Sequence, residues 1–158
     1  MSDQQWSAEV ATEIVRAHSG ARGPLLPVLH ALQEHFGYVD PEATRLVAKE
    51  LNLSRADVHG VITFYADFRA TPPGRTTVAV CRGEACQSRG SRELEHHAQA
   101  SLGVAFGETT ADGSVTLDQV FCLGNCALSP SVVVDGRLFG RVDPDRFDQV
   151  VADVVGRR

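Results

Sequence analysis

The first part of the chain carries apolar side chains at intervals of three and four positions, which is the spacing of amphipathic helices. Four such stretches follow one another, and each has residues beside it that are typical of a helix end. These end signals are Ser7 before the first stretch, Gly37 after the second, Asp40 with Pro41 before the third, and Ser54 with Asp57 before the fourth. We therefore predict a helical bundle over residues 1–74.

The pattern changes after Thr71-Pro72-Pro73-Gly74, a run that cannot continue a helix. Beyond it, β-branched and alternating apolar residues indicate strands, and two further stretches have helical spacing. The predicted elements are a strand over Thr76–Val80, a helix over Ser91–Leu102, a strand over Val115–Val120, a hairpin over Ser131–Gly140 that turns at Asp135-Gly136, and a helix that begins at Asp143-Pro144. Residues 75–158 are thus expected to form a second domain, with helices against a four-stranded sheet, and the fold class is α+β.

Composition narrows the class of protein. With 158 residues, 43% of them hydrophobic and 22% charged, the chain can bury a core, which excludes disorder over its whole length. Fifteen basic against twenty acidic residues give a net charge of -5, so we expect no nucleic acid partner. The apolar runs fall far short of the roughly 20 residues that cross a bilayer, and Met1–Gln5 lacks the features of a secretory signal. We expect a cytoplasmic protein with no direct membrane insertion.

Four cysteines form the strongest chemical signal in the sequence. Cys81 and Cys86 make a C-x4-C pair, and Cys122 and Cys126 make a C-x3-C pair. Each pair follows a predicted strand. If the two strands are neighbours, the four thiols converge, and close thiolates repel one another unless a metal centre neutralises them. Disulfides are not expected, because the cytosol is reducing.

Two kinds of metal centre take four thiolates, and the spacing favours one of them. Structural zinc sites accept two to four residues between cysteines, but zinc ribbons mostly use C-x2-C knuckles. A cluster with two irons takes one pair of thiolates per iron, for which the wider spacings are suitable. We therefore predict a 2Fe-2S cluster, with a zinc-stabilised protein-binding module as the alternative. A thiol-disulfide enzyme would need C-x-x-C at a helix start, which neither pair provides.

Residues near the cysteines each allow two interpretations. Gly83 and Gly124 could let backbone amides approach sulfur, or could simply turn the chain. Arg82 and Arg89 could offset the charge of a reduced cluster, or could be solvated. Glu95 is expected on a solvated helix face. The sequence has no P-loop, no dinucleotide-binding glycine motif and no nucleophile elbow, so we expect no catalytic residues in this chain.

Several segments resemble those of a known family. They are Leu25–His30, Gly37–Val39, Leu51–Ser54, Gly60–Tyr65 and Phe68-Arg69 in the helical part, and the two cysteine spacings and the Asp135-Gly136 turn in the second part. Together they are similar to the thioredoxin-like 2Fe-2S subunits, which include the small flavoprotein-associated subunit of respiratory complex I. The resemblance implies a thioredoxin-like 2Fe-2S ferredoxin domain after the bundle, in which Cys81, Cys86, Cys122 and Cys126 hold the iron of one 2Fe-2S cluster.

Two shorter segments indicate a particular branch of that family. Val58-His59-Gly60 and Arg82–Ser88 look most like the gamma subunit of soluble NAD-dependent formate dehydrogenases that contain molybdenum. The resemblance implies an electron-transfer subunit without catalytic residues, a partner subunit that binds FMN and NAD, and a larger molybdenum-containing catalytic subunit. The corresponding subunit of an NADH:quinone oxidoreductase or of an NAD-reducing hydrogenase is the alternative.

Overall fold

Residues 6–156 are described by a computed structural model, so the expectation drawn from Met1–Gln5 lies outside the described part of the chain. The backbone divides into two units, Met1–Pro72 and Pro73–Arg158. The described residues of the first unit form helices without a strand, and the second unit combines helices with a sheet. The fold class is therefore α+β, as the sequence predicts.

The described residues of the first unit, 6–72, form four helices, and most of the helix ends lie where the sequence places them. The helices are α1 (Ala8–His18), α2 (Leu25–Phe36), α3 (Ala43–Glu50) and α4 (Arg55–Phe64). Ser7 Oγ accepts a hydrogen bond from Val10 N at 3.4 Å, and Gly37 ends α2 with a φ of 83°. Ser54 and Asp57 form the expected capping box at the start of α4. These caps satisfy backbone groups that helix ends would otherwise leave unpaired.

The third helix begins later than the sequence suggests. Pro41 is expected to be its first residue, whereas α3 starts at Ala43. The Asp40 carboxylate accepts a hydrogen bond from Glu42 N at 2.8 Å, and the Asp40 carbonyl accepts one from Ala43 N at 2.8 Å. Asp40 therefore closes a turn over residues 41–42 instead of capping a helix directly.

One face of each helix contributes to a shared apolar core in the first unit. Its buried residues are Ala11, Val15, Val28, Leu29, Leu32, Phe36, Val39, Ala43, Val47, Ala48, Val58 and Phe68. Full burial of a large apolar side chain contributes about 1.5–3 kcal/mol, which exceeds any difference in helix propensity between ordinary residues. The apolar stripes therefore hold this bundle together.

Within residues 73–156, the second unit contains a five-stranded sheet, three α-helices and one 3₁₀ turn. The strands are β1 (Thr76–Cys81), β2 (Glu108–Thr109), β3 (Val115–Val120), β4 (Ser131–Val134) and β5 (Arg137–Gly140), and the helices are α5 (Glu84–Gln87), α6 (Ser91–Leu102) and α7 (Pro144–Val155). The strands lie in the order β2-β3-β1-β4-β5. The prediction of four strands is wrong because β2 adds a fifth, antiparallel to β3. A two-residue strand is too short to show alternation in the sequence.

Strands β1 and β3 lie side by side and run in the same direction. Thr76 is opposite Val115, and Cys81 is opposite Val120. Parallel neighbours need a long crossover connection, and α6 belongs to that connection. The two strands that precede the cysteine pairs therefore end at the same edge of the sheet.

The hairpin of β4 and β5 turns where the sequence predicts. Asp135 and Gly136 have φ values of 46° and 77°, both in the left-handed region that a type I′ turn requires. Strand β4 pairs antiparallel with β1, on the side that β3 leaves free.

A second apolar core lies between the sheet and its helices. Its buried residues are Val78, Val80, Leu94, Ala98, Val115, Leu117, Val132, Val134, Val142, Phe147 and Val151. This core fixes the strand ends from which the cysteines project. None of the helices between residues 6 and 156 is long and apolar enough to cross a lipid bilayer.

Candidate metal centre

Each cysteine lies at or just beyond the end of β1 or β3. Cys81 is the last residue of β1, and Cys86 lies in the short helix α5. Cys122 follows the end of β3 by two positions, and Cys126 begins a single 3₁₀ turn. Because β1 and β3 are parallel neighbours, both cysteine-bearing loops leave the same edge of the sheet. The two strands that precede the cysteine pairs are therefore neighbours, which is what convergence of the four thiols requires.

The thiols interact both within each cysteine loop and between the two loops. The pKa of Cys81 is raised, chiefly by burial and further by the neighbouring Cys86 thiol. The pKa of Cys126 is also raised, first by its hydrogen bond with the Cys122 thiol and then by charge repulsion from Cys122 and Cys86. All four cysteines are free. Such thiols resist becoming thiolates until a positively charged centre stabilises them.

Among the described residues, no group of three or more His, Cys, Asp or Glu side chains is arranged to hold a single metal ion. The Cys126 thiol interacts with the Cys122 thiol of its own loop and with the Cys86 thiol of the other loop. A two-iron cluster takes two thiolates on each iron. Four cysteine thiols in two loops that leave the same sheet edge are, by their chemistry, a donor set that fits a 2Fe-2S cluster.

The two pairs differ in exposure. Cys81 and Cys86 are each only 3% exposed, whereas Cys122 and Cys126 lie at the surface. Phe121, which precedes the outer pair, is 65% exposed. The site thus has an inner side buried in the protein and an outer side accessible to solvent.

Two glycines allow the cysteine loops to approach closely. A Cβ at Gly83 would lie 2.9 Å from Phe121 O and 3.6 Å from Cys122 Cα, although the φ of Gly83 is an ordinary -66°. Gly124 has a φ of 73°, and its amide donates to Cys122 Sγ at 3.3 Å. Gly83 is therefore needed for close approach, and Gly124 for a turn that directs an amide at sulfur.

Ser129 connects the two cysteine loops, a role that the sequence analysis misses. The Cys86 thiol donates to Ser129 Oγ at 3.6 Å, and Ser129 Oγ donates to Cys126 O at 2.7 Å. Ser129 is itself 7% exposed. No local pattern marks this serine, because its thiol partner Cys86 is distant in the sequence.

Side chains of helix α6 hold the first cysteine loop in place. Ser91 Oγ donates to Cys81 O at 2.6 Å, and Glu95 contacts Arg82 and Gln87. The expectation that Glu95 is solvated is wrong, since this residue is only 7% exposed. Its position one residue after the buried Leu94, and four after the buried Ser91, is the signal that could have placed it on the inner face.

The two arginines near the cysteines have different surroundings. The Arg82 guanidinium lies 5.4 Å from the ring centroid of Phe106 and 5.9 Å from that of Phe121. Arg89 is exposed. Arg82 therefore packs next to the cysteines. Arg89 is a solvated surface residue, which is one of the two interpretations that the sequence allows.

Comparison with known proteins supplies an independent assignment. The sequence profile of the family described as thioredoxin-like [2Fe-2S] ferredoxin matches residues 11–155. The chain is 35% identical over 131 residues to the HndA subunit of the NADP-reducing hydrogenase of Solidesulfovibrio fructosivorans, covering 83% of this chain and 77% of that protein. It is 34% identical over 141 residues to a subunit of the NADH-quinone oxidoreductase of Mycobacterium bovis, covering 89% of this chain and 56% of that protein.

A solved structure shows the same fold. The crystal structure of an NAD+-reducing [NiFe]-hydrogenase in the air-oxidized state aligns with a TM-score of 0.68 and 23% identity, over 84% of this chain and 23% of that chain. The present chain thus spans a small part of the hydrogenase chain and just over half of the mycobacterial protein.

Proposed function

This chain belongs to the thioredoxin-like [2Fe-2S] ferredoxin family, and we propose that Cys81, Cys86, Cys122 and Cys126 hold its one 2Fe-2S cluster. The observation that carries the proposal is the placement of four free cysteines at or just beyond the ends of two adjacent parallel strands. When bound, such a cluster accepts and releases one electron at a time. The protein supplies the four thiolates and the surroundings that determine the reduction potential of the cluster.

The surroundings of the outer cysteine pair suit electron exchange with another protein. Cys122 and Cys126 are exposed, while the Gly124 amide donates to Cys122 Sγ. An amide hydrogen bond to sulfur stabilises negative charge and so favours the reduced state. Cys81 and Cys86 are shielded from water by the protein. We therefore place the route of electron entry and exit on the outer side.

The chain acts in this proposal as a non-catalytic electron-transfer subunit. Relatives at 34–35% identity are named as subunits of an NADP-reducing hydrogenase and of an NADH-quinone oxidoreductase. We propose that the partner is a subunit that binds NAD and FMN, and that electrons pass between that flavin and this chain. A cytoplasmic location belongs to the same proposal, because the thiols stay reduced there.

The parent complex is best supported as a hydrogenase or an NADH:quinone oxidoreductase. The resemblance of Val58-His59-Gly60 and Arg82–Ser88 to the formate dehydrogenase gamma subunit is the separate observation that favours a molybdenum-containing catalytic partner. Purification of the chain with its native partners, followed by mass spectrometry and metal analysis, distinguishes these complexes. Copurified molybdenum would support the formate dehydrogenase assignment, and the identities of the copurified subunits would distinguish a hydrogenase from an NADH:quinone oxidoreductase.

Cysteine-to-serine substitution tests the cluster proposal. The full chain is purified without oxygen, and its iron, acid-labile sulfide and zinc are measured for the wild type and for each of the four serine variants. We expect lower iron and sulfide in every variant, because metal binding and folding of the site are coupled. Ser101→Ala, an exposed change near the end of α6, is the control and keeps the wild-type iron content.

Two results would contradict the cluster proposal. A colourless wild-type protein with stoichiometric zinc would favour the zinc-stabilised module, because zinc has no redox chemistry. Four serine variants with normal iron would show that these thiols are not the ligands.

A further inference from the structure

Glu95 makes contact with the residue that follows each cysteine of the inner pair. Its Oε2 lies 3.0 Å from Arg82 Nε, and Arg82 directly follows Cys81. Its Oε1 accepts a hydrogen bond from Gln87 Nε2 at 2.9 Å, and Gln87 directly follows Cys86. One carboxylate on a rigid helix thus holds both ends of the loop between the two cysteines.

The surrounding side chains hold this arrangement in place. Arg92 Nε donates to Gln87 Oε1 at 2.8 Å. This hydrogen bond orients the side-chain amide of Gln87 so that its Nε2 faces Glu95. An Arg82 guanidinium nitrogen also donates to Gln119 Oε1 on β3. Glu95 is therefore connected to both strands that carry the cysteine loops.

The Arg82–Glu95 contact is mainly ionic. The Arg82 Nε–H is buried and makes no hydrogen bond, although the carboxylate oxygen lies 3.0 Å away. The Glu95 side chain is 9% exposed, and the Phe106 and Phe121 rings lie against the guanidinium. The Arg82 side chain is 34% exposed, so water screens the pair in part, but removal of one partner still leaves the other charge uncompensated beside the inner cysteines.

We infer that Glu95 is a positioning residue for the inner cysteine pair, and that its charge balances Arg82 and thereby sets the reduction potential of the cluster. This inference rests on the proposed function. Each electron added to the cluster makes it more negative, so a nearby uncompensated guanidinium favours reduction and a nearby uncompensated carboxylate opposes it. Substitutions of the two partners must therefore shift the potential in opposite directions.

The test is a redox titration of the full chain with its cluster, followed by electron paramagnetic resonance. Glu95→Gln keeps the shape of the side chain but removes its charge. We expect the ratio of reduced to oxidised cluster at a fixed applied potential to rise about tenfold, which is about 59 mV for a one-electron couple. Glu93→Gln removes the same charge from an exposed position of the same helix and changes the ratio less than about twofold, because water and salt screen it.

Arg82→Gln supplies the opposite perturbation. It leaves Glu95 without its cation, so the ratio of reduced to oxidised cluster should fall. The double variant that carries both substitutions should return close to the wild-type ratio. General damage to the fold would not produce shifts of opposite sign that cancel.

Each result decides the inference. Equal effects of Glu95→Gln and Glu93→Gln, or shifts of the same sign from Glu95→Gln and Arg82→Gln, overturn it. If Glu95→Gln cannot retain a cluster, the double variant should recover one, and its failure to do so also overturns the charge balance. A wild-type chain that binds no cluster instead refutes the proposed function, so the two failures are distinguishable.

Discussion

Gly83→Ala should separate the two cysteine loops. Gly83 has a φ of -66°, which alanine adopts freely, so the substitution adds no backbone strain. The new Cβ would lie 2.9 Å from Phe121 O, whereas ordinary van der Waals contact begins at 3.4 Å. The difference requires the backbone that leads into Cys122 to move by about 0.5 Å.

The expected cost follows from this displacement. Overpacking by one methyl group destabilises a well-packed site by about 1–3 kcal/mol. For a unit of this size, each kcal/mol lowers the melting temperature by about 4–8 °C. The site should also bind less iron, because Gly83 lies between Cys81 and Cys86 and the added methyl group pushes the loop that carries Cys122 away.

Thermal unfolding of the reduced, metal-free chain, followed by circular dichroism, measures the stability. Iron analysis after anaerobic reconstitution measures the site. Gly60→Ala is the control, because Gly60 lies within α4 and no atom lies within 4 Å of its added Cβ. That change should stabilise the chain by about 0.5–1 kcal/mol. A Gly83→Ala variant with the wild-type melting temperature and full iron content would refute the argument from close approach.

Two further predictions concern stability away from the cysteines. Ser54→Ala removes the hydroxyl that accepts from Asp57 N at 3.0 Å, so chemical unfolding should show a loss of about 0.5–2 kcal/mol; an unchanged unfolding midpoint would count against the capping box. The pKa of Asp112 is lowered to about 2, chiefly by hydrogen bonds from Thr110 and then Ser114. Its ionised form therefore stabilises the fold above pH 3.8, and this contribution is lost as the pH falls towards 2. In urea unfolding, Asp112→Asn should be less stable than the wild type at pH 6, and the difference should shrink as the pH falls from 3.8 through about 2; a difference that is constant with pH would contradict this.

Local signals account for most of the fold that the sequence predicts. Ser54 with Asp57 marks a helix start, and Asp135-Gly136 marks a hairpin turn, because each signal involves residues close together in the chain. The short elements α5 and β2 escape prediction, since four and two residues carry too little periodicity.

The sequence predicts the ligands of the candidate site, but it does not predict the residues that hold those ligands in place. Cysteine spacing indicates the donor set, and the placement of β1 beside β3 meets the condition for its convergence. The roles of Glu95 and Ser129 depend on tertiary packing, which brings Arg82 to Glu95 and Cys86 to Ser129. A single sequence contains no direct record of such distant contacts.

The parallel pairing of β1 with β3 also sets when the donor set can be complete during synthesis. A ribosome-bound chain that has emerged only as far as α6 exposes Cys81 and Cys86 without the other two thiols. The second half of the site is present only after Cys126 has emerged and β3 has paired with β1. Pairing of distant segments is slow because the intervening loop must close. Pairing of β3 with β1 therefore precedes completion of the site.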